Sequence, residues 1–183
     1  MNTLTDNAIM LRVKAGDLDK MGLLFERYHR PLYGFLFHMT YHKEGSEDMV
    51  QQVFYKMLKY RHTFTGTGEF IHWMYSIARN VLKDRGKRKQ LPMQQEGVEE
   101  MADRLAGGIT PEEQLEKKQA KAGLYKAMEK LSDDHREVLT LSRFQELRHQ
   151  EIAQILNISE VAVKTRAHRA MQELKNIYVK MER

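Results

Sequence analysis

The chain has 183 residues, room for one domain or two small ones, with 30 Lys and Arg against 25 Asp and Glu, a net charge of +5. The absence of cysteine excludes disulfides, thiol catalysis and Cys-based zinc sites. The N-terminal stretch MNTLTDNAIMLRVKAG lacks a long apolar run and contains Asp6, and nothing in the chain approaches membrane-spanning length, so a cytoplasmic protein without a signal peptide is expected.

The charge is unevenly spread. Residues 1–89 hold 15 cations against 9 acids, net +6. Residues 90–116 hold 1 against 7, net −6, and residues 117–183 hold 14 against 9, net +5. Two basic blocks around an acidic connector suggest two nucleic-acid-binding modules on a tether, with the connector able to compete with DNA for the basic surfaces. Three prolines and helical periodicity almost throughout predict an all-α fold.

In chain order, a first short helix is expected over residues 6–15, ending at Gly16. A second runs from about Asp17 to Thr40, with Leu23, Leu24, Phe25, Leu32, Phe35, Leu36 and Met39 on its core side and a kink or break at Pro31. His38 and His42 stand four apart, but no third ligand accompanies them and no metal site is expected. Residues 45–60 form the clearest helix. Ser46 is its expected cap, Glu47 and Asp48 lie in the first turn, and Met49, Val50, Val53, Phe54, Met57 and Leu58 make a buried stripe. Asp48, Gln51, Gln52 and Tyr55 share the other face, which reads either as a solvated polar surface or as a protein-docking one.

A loop over residues 61–69 follows. Gly66 and Gly68 give it turns but no dinucleotide fingerprint, since the third glycine and a preceding strand are missing. The next helix, residues 70–89, places Phe70, Trp73, Met74, Ile77, Val81 and Leu82 toward the core. Its second half carries Arg79, Lys83, Arg85, Lys87, Arg88 and Lys89 against Asp84 alone. That density exceeds what a helix C-terminus needs, and phosphate contact is the natural use. Aromatics just before a basic track suit single-stranded DNA, although Trp73 itself fits the core. Residues 90–110 read as a linker. Thr110 and Pro111 then start a helix to about Lys130, and residues 131–134 start another with Val138, Leu139, Leu141 and Phe144 as core.

The last segment reads as two helices across a very short turn. Ile152, Ile155 and Leu156 line the first, Asn157 suits a left-handed turn position, and Ser159 can cap the second. Val163, Ala167, Ala170 and Leu174 face inward in that second helix, leaving Lys164, Thr165, Arg166, His168 and Arg169 outside. The pattern fits a helix-turn-helix entering a DNA major groove, and equally a plain helical hairpin with a solvated basic face.

Four collinear stretches reach beyond that ambiguity: FERYHRPLYGFL, SEDMVQQVFYKML, FIHWMYSIARNVLKD and the long C-terminal run from LSDDHREVL to AMQEL. In order and spacing they resemble the bacterial RNA polymerase sigma factors of the sigma-70 family, extracytoplasmic-function type, over nearly the whole chain. The resemblance implies region two at residues 1–89, an acidic linker at 90–110 and a region-four helix-turn-helix at 111–183. It implies that Glu47, Asp48, Gln51, Gln52 and Phe54 dock on core RNA polymerase. The loop Thr63, Phe64, Thr65, Gly66, Thr67, Gly68 and Glu69, with Asn80, would capture an unstacked base of the minus-ten promoter element, while Arg79, Lys83 and Arg85 grip phosphates. The helix from Ser159 and Glu160 through Lys164, Thr165, Arg166, His168 and Arg169 would read the minus-thirty-five element. The linker would run toward the RNA exit path, and the extra N-terminal autoinhibitory region of larger members is not expected. Promoter DNA, double- and single-stranded, and core polymerase are the implied partners. An anti-sigma factor is common in the family, though no residue identifies one. No cofactor or metal is implied.

Two other classes compete. A stand-alone regulator binding duplex DNA accounts for the helix-turn-helix but not for the docking-type helix or the aromatic-basic segment. An enzyme lacks a nucleophile–base pair, phosphate loop or metal cluster in the sequence.

Overall fold

The computed structural model describes residues 4–88 and 111–181, with side chains placed at 4–86 and 115–181. The connector expected at 90–110, and Lys89 beside it, lie outside the described residues. Those residues form eight α-helices and no strand: α1 (Asp6–Lys14), α2 (Met21–Thr40), α3 (Lys43–Lys59), α4 (Phe70–Arg88), α5 (Pro111–Glu129), α6 (Asp133–Leu139), α7 (His149–Leu156) and α8 (Glu160–Met181). A π-helical segment, Thr140–Phe144, continues α6.

The N-terminal module packs α2, α3 and α4 side by side with α1 laid across them. Thr5 caps α1 by accepting from the Ala8 amide, and Ile9, Met10 and Val13 are buried beneath it. Asp6 then pins α1 to α2, accepting from Arg27 at 2.6 Å and from the Tyr28 hydroxyl. The break expected at Pro31 does not occur. α2 is one helix, because apolar packing of both its halves offsets the single ladder bond that proline removes.

Two further expectations are corrected. Leu23 and Phe25 are exposed: Leu23 stands off the core stripe of α2, which runs through Met21, Leu24, Leu32 and Phe35, whereas Phe25, two turns before Leu32 and on nearly the same side, is left at the edge of the core with its ring over that of Phe54. The cap of α3 is His42, whose Nδ1 accepts from the Gly45 amide at 2.9 Å. Ser46, expected to cap, is buried one turn in and donates to the His42 carbonyl at 2.7 Å.

In the C-terminal module α5, α6 and α7 pack around α8. Ser132 caps α6, and Asn157 adopts the left-handed conformation (φ 54°) between α7 and α8. The two modules share one continuous apolar core rather than standing apart. α4 lies on α7, and α2 lies on α6 and the π segment. Arg136 ties this seam: its guanidinium donates to the Met39 carbonyl of α2 at 3.2 Å and to the carbonyls of Met128, Glu129 and Leu131 at 2.6–3.1 Å. A cation bridging two helix C-termini is favoured by both dipoles.

His38 sits in the same seam, 4% exposed, stacked on Phe144 at 3.8 Å and edge-on to Tyr125 at 5.3 Å. Its Nδ1, the Tyr41 hydroxyl and the Thr140 hydroxyl are buried there without hydrogen-bond partners. Burial, then Lys121, pulls the His38 pKa down to about 4, so the ring is neutral.

Candidate nucleic-acid interface

The loop before α4 begins as a single 3₁₀ turn, Arg61–Thr63. Phe64, one of the residues assigned to base capture, is 2% exposed and packs against Phe70 and Trp73. It anchors the loop from below and offers no ring to a base. Trp73 is half-buried, as the core reading expects, and its Nε1 donates to Thr63 Oγ1 at 3.2 Å. Thr65, Thr67, Gly68 and Glu69 remain exposed at the tip, with the two threonine hydroxyls 2.8 Å apart. Gly66 is left-handed (φ 75°), and a side chain there would meet Leu11 at 3.1 Å. The loop therefore rests on α1.

The cations of α4 are not equivalent. Asn80 and Lys83 are exposed. Arg79 is turned into the seam, where its Nε and Nη2 reach the two carboxylate oxygens of Glu137 at 2.7 and 3.2 Å and its Nη1 donates to the Ile155 carbonyl at 3.1 Å. Glu137 is 7% exposed. A forked guanidinium–carboxylate pair ending on a helix C-terminal carbonyl is a strong, oriented contact. In this arrangement Arg79 is occupied by protein, not open to phosphate as its position in the basic track suggests. Arg85 is also engaged, donating to the Gly45 carbonyl at 2.9 Å. A Cβ at Gly45 would lie 2.3 Å from its guanidinium, so glycine is what lets the arginine approach.

On α3, Glu47, Asp48, Gln51, Gln52 and Tyr55 form one exposed face. Phe54, placed on that face by the resemblance, is 6% exposed and buried under Phe25, with ring centroids 4.9 Å apart. Phe25 itself is 43% exposed and stacks on His29 at 5.0 Å. It is the apolar side chain that borders the polar face. Sequence reasoning missed it by assigning it to the core, because Phe25 lies two turns before Leu32, on the side of the helix that the core stripe occupies.

The helix-turn-helix is formed by α7 and α8. Ser159 caps α8, its hydroxyl accepting from the Ala162 amide at 3.1 Å. Val163, Ala170 and Leu174 are buried, and Ala167 is half-buried. Lys164, Thr165, His168 and Arg169 are exposed, with Lys164 in a 3.0 Å surface pair with Glu160. Arg166 leans back toward Asp134 of α6 at 3.7 Å and is half-buried, so it belongs to the flank of the reading face. Among the described residues no three His, Asp or Glu gather as a metal site, and no helix is long and apolar enough to cross a membrane.

Residues 24–91 match the family model of sigma-70 region 2, and residues 121–174 match that of sigma-70 region 4. The chain is 32% identical over 159 residues to the ECF RNA polymerase sigma factor SigX of Bacillus subtilis, covering 84% of this chain and 80% of the relative. It is 31% identical to SigM of the same organism, covering 85% of this chain and 93% of that one. In fold it is similar to CnrH, solved in complex with the cytosolic domain of CnrY, at a TM-score of 0.70 and 21% identity over 94% of this chain and 96% of that one. The chain belongs to the RNA polymerase sigma factors of the sigma-70 family, extracytoplasmic-function type.

Proposed function

We propose a division of labour within this transcription initiation factor. The exposed face of α3, Glu47, Asp48, Gln51 and Gln52 with Phe25 at its edge, docks on core RNA polymerase. The loop tip at residues 65–69 and Asn80 hold an unstacked base of the minus-ten element, Lys83 and a released Arg79 take its phosphates, and α8 reads the upstream duplex. The protein acts in the cytoplasm by binding and carries out no chemistry of its own. The observation that supports this reading best is the coexistence, on one chain, of an acid-and-amide face on α3 with exposed polar groups on α4 and an open, capped α8. A stand-alone regulator has no use for the first two.

Two substitutions test the assignment. Asp48→Arg, on an exposed helical face, should weaken core polymerase binding at a stability cost within about 0.5 kcal/mol. Native affinity in that variant removes the α3 assignment. Asn80→Ala should impair strand opening more than initial duplex binding, because a base out of the stack needs hydrogen bonds to its edge. Permanganate reactivity of unpaired thymines reads this directly, and undiminished reactivity counts against it.

A further inference from the structure

The loop at residues 63–69 cannot hold its own shape. It has two glycines, one of them left-handed, and its internal side-chain contacts are confined to the tip, where the Thr65 hydroxyl meets that of Thr67 and accepts from the Thr67 amide. Beyond the Phe64 anchor and the Trp73–Thr63 bond at its entry, what holds it is α1, an element the functional assignment leaves without a role. Asn7 reaches the loop's exit twice: its Oδ1 accepts from the Phe70 amide at 2.7 Å, and its Nδ2 donates to the Gly68 carbonyl at 3.0 Å. Lys14, two turns further along α1, donates to the Phe64 carbonyl at 2.6 Å at the loop's entry. Leu11 lies between them, directly under Gly66. One helix face therefore touches the entry, the middle and the exit of the loop. That helix is itself fixed to α2 through Asp6, Arg27 and Tyr28.

We infer that α1 is the brace of the promoter-reading loop and that Asn7 is a positioning residue for minus-ten recognition. The inference rests on the reading that this loop meets an unstacked base. The physical argument is one of preorganisation. A loop that must present hydroxyls and carbonyls to one base edge discriminates only if its backbone is already in place, since each disordered group lowers the difference between right and wrong bases. Asn7 has two separable functions. Its carbonyl oxygen satisfies the first amide of α4, acting as a cap supplied from another helix. Its amide nitrogen straps the carbonyl of Gly68, a residue with no side chain of its own to lock.

This separation makes the inference testable. Asn7→Asp keeps an acceptor for the Phe70 amide, at a helix N-terminus that favours a negative charge, but cannot donate to Gly68. Asn7→Ala loses both bonds. Each full-length variant is assembled with core polymerase and challenged with a promoter library randomised across the minus-ten element. Backbone order parameters of residues 65–69 and thermal stability are measured on the free protein. The expected result is a fall in the loop's order parameters from the rigid-backbone value of about 0.85 toward about 0.6 for both variants. Base preference should flatten at one or more library positions, core affinity should stay within about twofold, and Asn7→Asp should keep the wild-type melting temperature. Unchanged order parameters overturn the brace. A looser loop with an unaltered base-preference profile overturns the positioning role. Asn80→Ala and the double variant Thr65→Ala, Thr67→Ala are run on the same library. If they too leave the profile untouched, the loop is not the reader, and the inference falls with the reading beneath it.

Discussion

The two helices of this sigma factor that the family resemblance assigns to DNA are presented in opposite ways. α8 stands open: Lys164, Thr165, His168 and Arg169 face solvent, and Lys164 is engaged only by a neighbour on its own helix. α4 is partly shut. Its Arg79 is held by a nearly buried carboxylate and a helix-end carbonyl of the other module, and Tyr75, on the adjoining face, donates to Gln145 at 3.0 Å across the same seam. The difference teaches that the two helices are not equally free to meet a partner. Duplex reading needs only that α8 approach a groove. On the proposed reading, contact of Arg79 with DNA needs its bonds to Glu137 and the Ile155 carbonyl to break first, in a seam that Arg136 and the ring stack around His38 also hold. Among the described residues Glu137, in α6, is the acid that holds Arg79, while the competition expected of the connector falls outside the described residues.

Breaking the clasp should have the largest effect. Removing one partner of a nearly buried ion pair costs up to about 3–5 kcal/mol, because the other charge is left without compensation. Glu137→Ala should shift that cost onto the seam, where Arg79 can escape to water only if the modules separate. The radius of gyration of the free protein should rise, and its affinity for single-stranded DNA with it. Glu137→Gln, which keeps the shape and part of the hydrogen bonding, should do the same to a smaller degree. A folded Glu137→Ala protein with unchanged size and unchanged single-strand affinity would mean that the modules are held together by something other than this pair.

Acid should loosen the same seam, and the sign follows from His38. Its pKa lies near 4 when the seam is closed and returns to about 6.5 when opened to water, so the closed form binds fewer protons. Closure is at full strength above pH 6.5, weakens as pH falls through that window, and levels off near pH 4. At 1.36 kcal/mol per unit, the whole window is worth roughly 3 kcal/mol. The groups facing the ring are Phe37 and Phe144, the Tyr41 and Tyr125 phenols, which burial pushes above their ordinary range, and the Lys121 ammonium. Interdomain distance measured by fluorescence transfer between pH 7 and pH 5 should lengthen in the native chain and stay flat in His38→Phe. A slope that survives in His38→Phe assigns the effect to other groups.

The parts of this molecule that could be read from sequence are those decided within one helical turn. The Met49–Val53–Met57 stripe, the Ser159 cap and the left-handed Asn157 each depend on a spacing of a few residues, and all three stand as expected. The parts that could not be read depend on distant partners. Tyr75, absent from the expected core side of α4, is buried because α4 has a second neighbour, the C-terminal module, where its hydroxyl donates to Gln145. Arg79 belongs by composition to a phosphate track and finds its carboxylate 58 residues away. Phe25 lies in register with Leu32 on α2 yet is exposed, because its ring lies over Phe54, which is buried as the α3 stripe expects. Asn7 gave no signal at all: an asparagine in the first turn of a short helix is unremarkable until the loop it straps is folded against it.

The open helix makes the finest prediction, because nothing inside the protein competes for it. Lys164 and Arg169 are both exposed cations of α8, but they stand at different depths along it. A recognition helix enters the major groove by its N-terminal end, and Lys164 lies in the second turn, while Arg169 lies more than a turn further on, where the helix leaves the groove. Lys164 is therefore expected to meet a base edge and Arg169 a phosphate. The Glu160 pair is no obstacle, since an exposed pair contributes at most about 1 kcal/mol and is readily exchanged for a base contact. Lys164→Ala should relax preference at one base pair of the upstream element by about 1–3 kcal/mol. Arg169→Ala should weaken all sequences alike and lower the salt slope by about one. Both are measured with core polymerase present, on single-base variants of that element at two salt concentrations. If Arg169→Ala relaxes one position while Lys164→Ala weakens every variant equally, the depths are reversed. If neither variant changes binding, α8 is not the reader, and its openness has another use.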